Sequence, residues 1–215
     1  MSAPFDLSVT DKLLSTTRAV RKRLDLEREV PRDVLLECIG LSQQAPTGSN
    51  SQTWRWLVVT DPDKRAELAR MYKEGGAGYL DMARSQLGPE ATQTHRVYDS
   101  AMWLVDNLAR VPVHVIPCVT AKLPENVPNV MAASMYGSIF PAVWSFQLAL
   151  RSRGLGSTVT TLHLFSEPEA AKLLGIPESV SQVGLLPVAY TKGTDFKRAT
   201  RPAPETITSW NQWEL

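Results

Sequence analysis

Residues 45–54, Ala-Pro-Thr-Gly-Ser-Asn-Ser-Gln-Thr-Trp, separate a helical pattern from a strand-like one and so set the frame of the fold. Apolar side chains recur at helical spacing in residues 33–45, and residues 55–60 are rich in side chains that strands prefer. Pro46 ends the helix, because a proline biases the preceding residue away from helical backbone angles. The small polar residues that follow expose backbone N–H groups and short polar side chains. This chemistry predicts a turn that binds a flat, polar ligand.

A cationic cluster lies upstream of this turn. Residues 17–23 read Thr-Arg-Ala-Val-Arg-Lys-Arg. Arginine offers forked donors and a permanent charge, which suit the oxygens of a phosphate group. Taken alone, the cluster has two interpretations, a phosphate site and a solvated basic turn.

Apolar periodicity and turn residues divide the rest of the chain into alternating helices and strands. Helices are predicted near residues 9–16, 61–76, 97–108, 132–153 and 166–175, and strands over residues 113–120, 157–161 and 180–190. A capping box opens the last of these helices, and Gly75-Gly76 ends the one that begins at Asp61. The residues after Gly75-Gly76 are poorly periodic and are interpreted as a loop or lid. The alternation indicates an α/β or α+β class with a mostly buried sheet and leaves the strand order open.

Composition is that of a folded, soluble chain. The protein has 215 residues, of which 43% are hydrophobic and 21% charged, and its formal net charge is +1. This balance argues against a nucleic-acid or anionic-membrane partner. The longest apolar stretch, residues 139–150, is too short to span a bilayer, and the N-terminus lacks the pattern of a signal peptide. Cys38 and Cys118 are predicted to be reduced core residues of a cytoplasmic protein.

The chain offers little that would act as a catalytic side chain or hold a metal. Its three histidines have no metal-ligand spacing and no neighbouring cluster of cysteines or acids. No Ser–His–Asp or Cys–His arrangement is supported by the spacing. No metal site and no catalytic side chain are therefore predicted.

The C-terminal segment combines positive charge with tryptophan. Lys197, Arg198 and Arg201 precede Trp210 and Trp213. An unanchored tail would leave such large apolar groups in water, so the tryptophans favour docking, for example across a dimer. A solvated cationic tail is the alternative interpretation.

The order of basic cluster, helix and Ala-Pro-Thr-Gly-Ser-Asn turn resembles the FMN-dependent nitroreductase family, and the likeness extends over residues 8–213. The resemblance implies one FMN-binding domain over residues 1–215, with a lid at 75–95 and a C-terminal arm at 191–215. The implied fold is α+β, with a mixed, mostly antiparallel central sheet flanked by helices. Two copies would form an entwined homodimer with two FMN sites at the subunit interface.

The resemblance assigns roles to four segments. Residues 18–21 are similar to the family's Arg-Ser-x-Arg motif for the flavin phosphate and ring edge. Residues 46–50 are similar to its Pro-Ser-x-x-Asn segment, which the partner subunit contributes. The strand after Gly154-Leu155-Gly156 passes the central ring, where the backbone N–H of residue 161 or 162 donates to N5. The closing basic motif returns to the phosphate through Arg201 as the best match, with Lys197 or Arg198 second.

The implied cofactor-binding residues are therefore Arg18, Ala19, Arg21, Pro46, Thr47, Gly48, Asn50, Val159, Thr160, Thr161, Leu162, Lys197 and Arg201. The implied activity is ping-pong reduction of a small electron acceptor, a nitroaromatic or a quinone, through FMN with NADH or NADPH as the hydride donor. One alternative is a specialised family member that destroys flavin, removes halogen or reduces a deazaflavin. Another is a protein that sequesters flavin without turnover.

Overall fold

The computed structural model of the protein describes residues 4–213. Its helices are α1 (Leu7–Thr16), α2 (Arg32–Ser42), α3 (Pro62–Ser85), α4 (Thr92–Asn107), α5 (Asn129–Ser152) and α6 (Glu167–Leu174). Its strands are β1 (Trp54–Val59), β2 (Val113–Val119), β3 (Leu155–Ser157), β4 (Ser181–Gln182) and β5 (Leu186–Tyr190). Short 3₁₀ turns form at Gly48–Asn50, inside one predicted binding segment, and at Leu162–Ser166, which begins at the last residue of another.

One antiparallel sheet joins the strands in the order β1-β2-β5-β3, and β4 also pairs with β2. β2 lies in the interior of the sheet with every residue buried, as a continuous apolar run predicts. β1 pairs with β2 from Trp54 opposite Val119 to Val59 opposite His114, and its other edge has no partner strand within residues 4–213. The predicted class is confirmed, because helices flank a mostly antiparallel sheet in an α+β fold.

Capping residues fix the ends of several helices. Asp6 caps α1 and Asp61 caps α3, each through a carboxylate that accepts from two backbone N–H groups, and Pro62 follows in the first turn of α3. α6 ends at Gly175, whose φ of 68° is left-handed. The predicted capping box was wrong in its first residue, since the Ser166 side chain makes no capping hydrogen bond.

Two apolar clusters fill the space between the sheet and its helices. One cluster, around Leu68 and Leu104, joins α3 and α4 to one face of the sheet. The other, around Ile139 and Phe146, joins α2 and α5 to the opposite face. Both cysteines are free and buried, as predicted, one in each cluster. No helix in the described range is long and apolar enough to cross a membrane.

α3 continues through Gly75 and Gly76, so the prediction that these glycines end the helix was wrong. Only residues 86–91 of the segment 75–95 lie outside helices, hence most of it is not a loop. The glycines serve packing instead, because the 3₁₀ turn Leu162–Ser166 lies directly against them. A lid function for the segment stays a prediction.

The last two predicted strands are shorter than expected. β3 ends at Ser157, and Thr160 then exchanges two backbone hydrogen bonds with Leu185, at 3.0 and 2.7 Å. The same bridge interrupts the strand predicted over residues 180–190, which becomes β4 and β5. Strand periodicity does not reveal this change of partner, because the bridging residues are as strand-like as their neighbours.

Two histidines lie inside the core. His114 bonds the Leu108 carbonyl through Nε2 at 2.9 Å, and its Nδ1 has no hydrogen-bond partner within residues 4–213. In the same range neither the ring nitrogens of His163 nor Oε1 of Gln182 meet hydrogen-bond geometry, although Gln182 lies close enough to the imidazole to oppose part of the fall in its pKa. Burial lowers the pKa of each histidine to about 4. The cause is desolvation, which disfavours the charged imidazolium.

We expect these histidines to destabilise the protein as the pH falls below neutral. A histidine with a pKa of about 4 in the fold, against 6.5 as its ordinary value, contributes its full stability above pH 6.5 and loses it toward pH 4. Between pH 7 and pH 5 the loss is about 2 kcal/mol of unfolding free energy per histidine. Urea unfolding at both pH values measures it. His163→Gln should remove about half of the pH dependence, and an unchanged pH dependence would contradict the assignment.

Candidate cofactor site

The basic cluster lies on a loop that the sheet holds in place. Ala19 forms a parallel bridge with Ser157 at the end of β3, and the Val20 N–H donates to the Ser157 carbonyl at 2.9 Å. The Val20 side chain is buried beneath the loop. These contacts place Arg18 and Arg21 beside the segment that was predicted to pass the flavin ring.

Arg21 is a desolvated cation without an acidic partner in the part of the chain that the structure describes. Its side chain is partly buried, and it donates from Nη1 to Ser100 Oγ at 3.3 Å. Burial lowers the pKa of the guanidinium, and the nearby Tyr72 phenol opposes this. No carboxylate in the described part of the chain forms an ion pair with Arg21. Because an unpaired cation is costly to desolvate, the position suits an anionic or strongly accepting ligand.

Arginines from both ends of the chain line one pocket of about 420 Å³, called here the arginine pocket. Its lining residues are Leu14, Ser15, Thr17, Arg18, Arg198, Ala199 and Arg201. None is acidic, and none of the three arginines forms an ion pair with any residue between 4 and 213. The structure thus brings Arg18 together with Arg201 and Arg198, whereas Lys197 does not line the pocket. Three guanidinium groups without an ion pair in the described range, of which Arg201 also donates to the Thr200 carbonyl, are suited to a phosphate.

The segment after β3 carries two unused hydrogen-bond donors. Thr160 is fixed by its bridge to Leu185 and by its side chain, which donates to the Tyr72 hydroxyl at 3.2 Å. The backbone N–H groups of Thr161 and Leu162 have no acceptor among the residues that the structure describes. A ring nitrogen or carbonyl of a ligand could therefore accept from either of them.

The turn at residues 46–50 is anchored on α5 and lines a pocket of its own. Its 3₁₀ portion is exposed, with Ser49 and Asn50 at left-handed φ values of 54° and 52°. The Gly48 N–H donates to Ser138 Oγ on α5 at 3.0 Å, which anchors the turn to that helix. The pocket beside the turn shares no lining residue with the arginine pocket. Within one chain the turn and the arginines thus line different pockets.

The predicted site residues differ in exposure. Those that are partly buried are Arg18, Arg21, Thr47, Val159, Thr160 and Leu162. Those that are exposed are Ala19, Pro46, Gly48, Asn50, Thr161, Lys197 and Arg201. The exposed members leave room for a ligand or a second subunit.

Large apolar surfaces remain uncovered in the single chain. The outer face of α5 exposes Val130, Met131, Tyr136, Phe140 and Trp144. The C-terminal arm exposes Ile207, Trp210 and Trp213. A groove of about 670 Å³ runs between α2 and the free edge of β1, and its apolar lining includes Leu35, Leu36, Ile39, Trp54, Trp56 and Val58. Exposed apolar side chains grouped in this way are suited to contact with another protein surface.

Two residues of this site, Tyr72 and Ser100, were not predicted from the sequence. Tyr72 lies in the apolar stripe of α3 and so reads as a core residue, and Ser100 lies within α4. A phenol at a buried position needs a hydrogen-bond partner, which is the one signal that marks Tyr72. Within residues 4–213 no group of three or more His, Cys, Asp or Glu side chains could hold a metal ion.

Several known proteins resemble this chain in sequence. An iodotyrosine deiodinase of Thermotoga neapolitana is 25% identical over 198 residues, which cover 92% of this chain and 96% of that protein. Iodotyrosine deiodinase 1 of Rattus norvegicus is 28% identical over 202 residues, which cover 88% of this chain and 66% of the rat protein. The chain thus spans about two thirds of the rat relative and nearly all of the bacterial one.

Solved structures share the fold. An oxidised iodotyrosine deiodinase bound to FMN and 3-iodo-L-tyrosine superposes with a TM-score of 0.69 at 24% identity, over 94% of this chain and 99% of that one. An FMN-dependent nitroreductase of Mycobacterium smegmatis in complex with NADPH gives a TM-score of 0.67 at 19% identity, over 96% and 100%. The model of the nitroreductase family matches residues 14–190, and the chain belongs to that family.

Proposed function

We propose that the protein is an FMN-dependent oxidoreductase that takes hydride from NADH or NADPH and reduces a small acceptor, a nitroaromatic or a quinone. The observation that carries this proposal is the desolvated Arg21, which has no acidic partner among residues 4–213 and lies near the Tyr72 phenol that binds Thr160. Directly after Thr160 along the chain, the N–H groups of Thr161 and Leu162 have no acceptor among the described residues. One cation and two donors fit a flat ring with alternating N and C=O groups.

The residues of this chain fit the two ends of FMN. The arginine pocket would hold the phosphate, Arg21 the pyrimidine edge of the ring, and Thr161 or Leu162 the N5 edge. Bound FMN supplies the capacity to accept and release a hydride. Arg21 favours the negative charge that the ring gains on reduction, because a fixed cation in a partly desolvated site acts strongly on developing charge. No side chain is needed as a proton donor, since water can fill that role.

We expect Arg201→Ala to weaken the binding of FMN but not of riboflavin, because Arg201 acts on the phosphate alone. Loss of a charge-assisted hydrogen bond, about 1.5–3 kcal/mol, corresponds to about 10- to 100-fold in the dissociation constant of FMN. Lys197→Ala is the matched control, since it removes a cation of the same arm that does not line the arginine pocket. Flavin fluorescence titrations measure the affinities of both variants for FMN and for riboflavin, relative to the wild type. Equal losses for both ligands, or a larger effect of Lys197→Ala, would refute this role.

We also propose that two copies form a homodimer and complete each other's sites. The exposed turn at residues 46–50 would reach the partner's flavin, and the apolar face of α5 would be buried between subunits. The C-terminal arm would lie in the partner's groove beside the free edge of β1, because an open strand edge with apolar flanks accepts an extended segment. The free, buried cysteines support the proposal of a reducing, cytoplasmic location.

Reductive dehalogenation is the second candidate. It is favoured by the similarity to iodotyrosine deiodinases, which extends over 92% of this chain for the bacterial relative. The same cofactor site would serve both activities, so they differ only in the molecule that accepts the electrons. The choice of acceptor is therefore the decisive property.

The proposal is tested by anaerobic stopped-flow reduction of the flavin-loaded protein with NADH and NADPH, followed by mixing with three acceptors. We expect one nicotinamide to bleach the flavin, and a nitroaromatic or quinone to restore the colour faster than 3-iodo-L-tyrosine at equal concentration. Faster reoxidation by 3-iodo-L-tyrosine, with release of iodide, would contradict nitroaromatic or quinone reduction as the main activity and support reductive dehalogenation. A yellow protein bleached by neither nicotinamide would contradict the proposed NAD(P)H activity and indicate flavin storage.

A further inference from the structure

One face of α3 holds the segment that carries the two unused N–H groups. Tyr72, Gly75 and Gly76 are spaced i, i+3 and i+4, so they lie together on the helix surface. The Tyr72 side chain is only 2% exposed, and its hydroxyl accepts from Thr160 Oγ1 at 3.2 Å. The 3₁₀ turn that begins at Leu162 packs over the two glycines. The helix thus contacts the segment on both sides of Thr161.

The turn packs so closely against the two glycines that neither position has room for a side chain. A Cβ on Gly75 would lie 2.6 Å from the Leu162 carbonyl oxygen and 3.0 Å from Phe165 Cβ. A Cβ on Gly76 would lie 2.2 Å from Leu162 Cδ1. The first clash is with backbone, so it can be relieved only by moving the segment. Glycine inside a helix costs about 1 kcal/mol relative to alanine, and close packing of Leu162 is what this chain gains in return.

Resting on the proposed function, we propose that Tyr72, Gly75 and Gly76 are positioning residues for the flavin. They fix the backbone at Thr160 and Leu162 and thereby set where the N–H groups of Thr161 and Leu162 meet the reactive edge of the ring. Tyr72 also lies near enough to Arg21 to influence the pKa of its guanidinium, so the same face of α3 lies beside both the cation and the donors. Donors that are held in place before the reaction need no rearrangement as charge develops.

The test compares Gly75→Ala and Tyr72→Phe with Gly78→Ala in FMN-loaded protein. Gly78 is the matched control, because it lies on the same helix and a Cβ there meets nothing within 4 Å. Hydrogen exchange of a peptide spanning residues 158–166, with and without FMN, reports the two amides directly, and stopped-flow reduction reports their effect. We expect FMN to protect this peptide in the wild type and Gly78→Ala but far less in Gly75→Ala. Reduction should slow about tenfold in Gly75→Ala and about fivefold in Tyr72→Phe.

Equal protection and equal rates in all variants would overturn the positioning role while leaving FMN binding intact. A wild-type protein that binds no FMN would instead overturn the proposed function on which the role rests. If Gly75→Ala does not fold, the positioning role is tested by the reduction rates of Thr160→Val, Tyr72→Phe and the double variant that combines them. The double variant should be no slower than either single one, because both remove the same hydrogen bond. Additive losses would contradict the proposal.

Discussion

Arg21→Ala is expected to weaken FMN binding by about 10- to 100-fold and to slow reduction of the flavin, while the fold of the empty protein is kept. The guanidinium is partly buried, yet within residues 4–213 it has no carboxylate partner and one hydrogen bond, to Ser100. Its desolvation is therefore better offset when a ligand supplies acceptor atoms, such as the ring carbonyls, and most of all when the reduced ring carries negative charge. The same substitution should leave the melting temperature of the flavin-free protein unchanged or raise it.

Two further variants make this experiment specific. Lys22→Ala removes an exposed cation of the same loop and should leave the FMN dissociation constant unchanged. Arg21→Lys keeps the charge but loses the forked donors, so its affinity should fall between those of the wild type and Arg21→Ala. Fluorescence titration and stopped-flow reduction measure both effects. An unchanged affinity and rate in Arg21→Ala would show that Arg21 does not contact the ring.

Truncation before Trp210 is expected to weaken the dimer and the retention of flavin together. Trp210 is 79% exposed in the single chain, and its transfer into the partner's groove would bury most of a large apolar side chain. Such burial is worth about 3 kcal/mol, or about 100-fold in the dimer dissociation constant. Flavin is lost as well because the proposed site takes its turn at residues 46–50 from the other subunit.

Sedimentation at sub-micromolar protein, followed through flavin absorbance, measures both losses at once. Glu205→Ala is the matched control, since it alters an exposed polar residue of the same arm and should leave the dimer intact. A truncated protein that sediments as a flavin-loaded dimer would refute the role of the arm. A flavin-loaded monomer, in any variant, would refute the site shared between subunits.

The sequence predicted the elements whose signals are local. The cap at Asp61 and the buried strand β2 each depend on neighbouring residues, and the structure has both. The helix predicted to stop at Pro46 ends earlier, at Ser42, so the proline marked the loop but not the last helical residue. The meeting of Arg18 with Arg201 could be predicted only through the family resemblance, because no local pattern joins residues so far apart.

The sequence failed where a distant contact decides the structure. Gly75 and Gly76 have the composition of a helix end, but the turn at Leu162 packs into the space that they leave and the helix continues. Thr160 looks like part of a strand, but it pairs with Leu185 instead of extending β3. Helix propensity and strand periodicity cannot predict these two contacts, because each contact joins segments that are far apart along the chain.

The central claim, that this chain holds FMN, is tested most directly by the flavin content of the purified protein. Denaturation and chromatography of the released pigment identify the flavin and its amount. We expect FMN at about one per subunit, because the arginine pocket matches one terminal phosphate and Arg21 one ring edge. FAD should bind poorly, since Arg18 and Arg201 suit the terminal phosphate of FMN, which in FAD is esterified to an adenylate and carries less charge. The protein is offered FMN, FAD and riboflavin during purification. Recovery of riboflavin, of FAD or of no flavin would contradict the account.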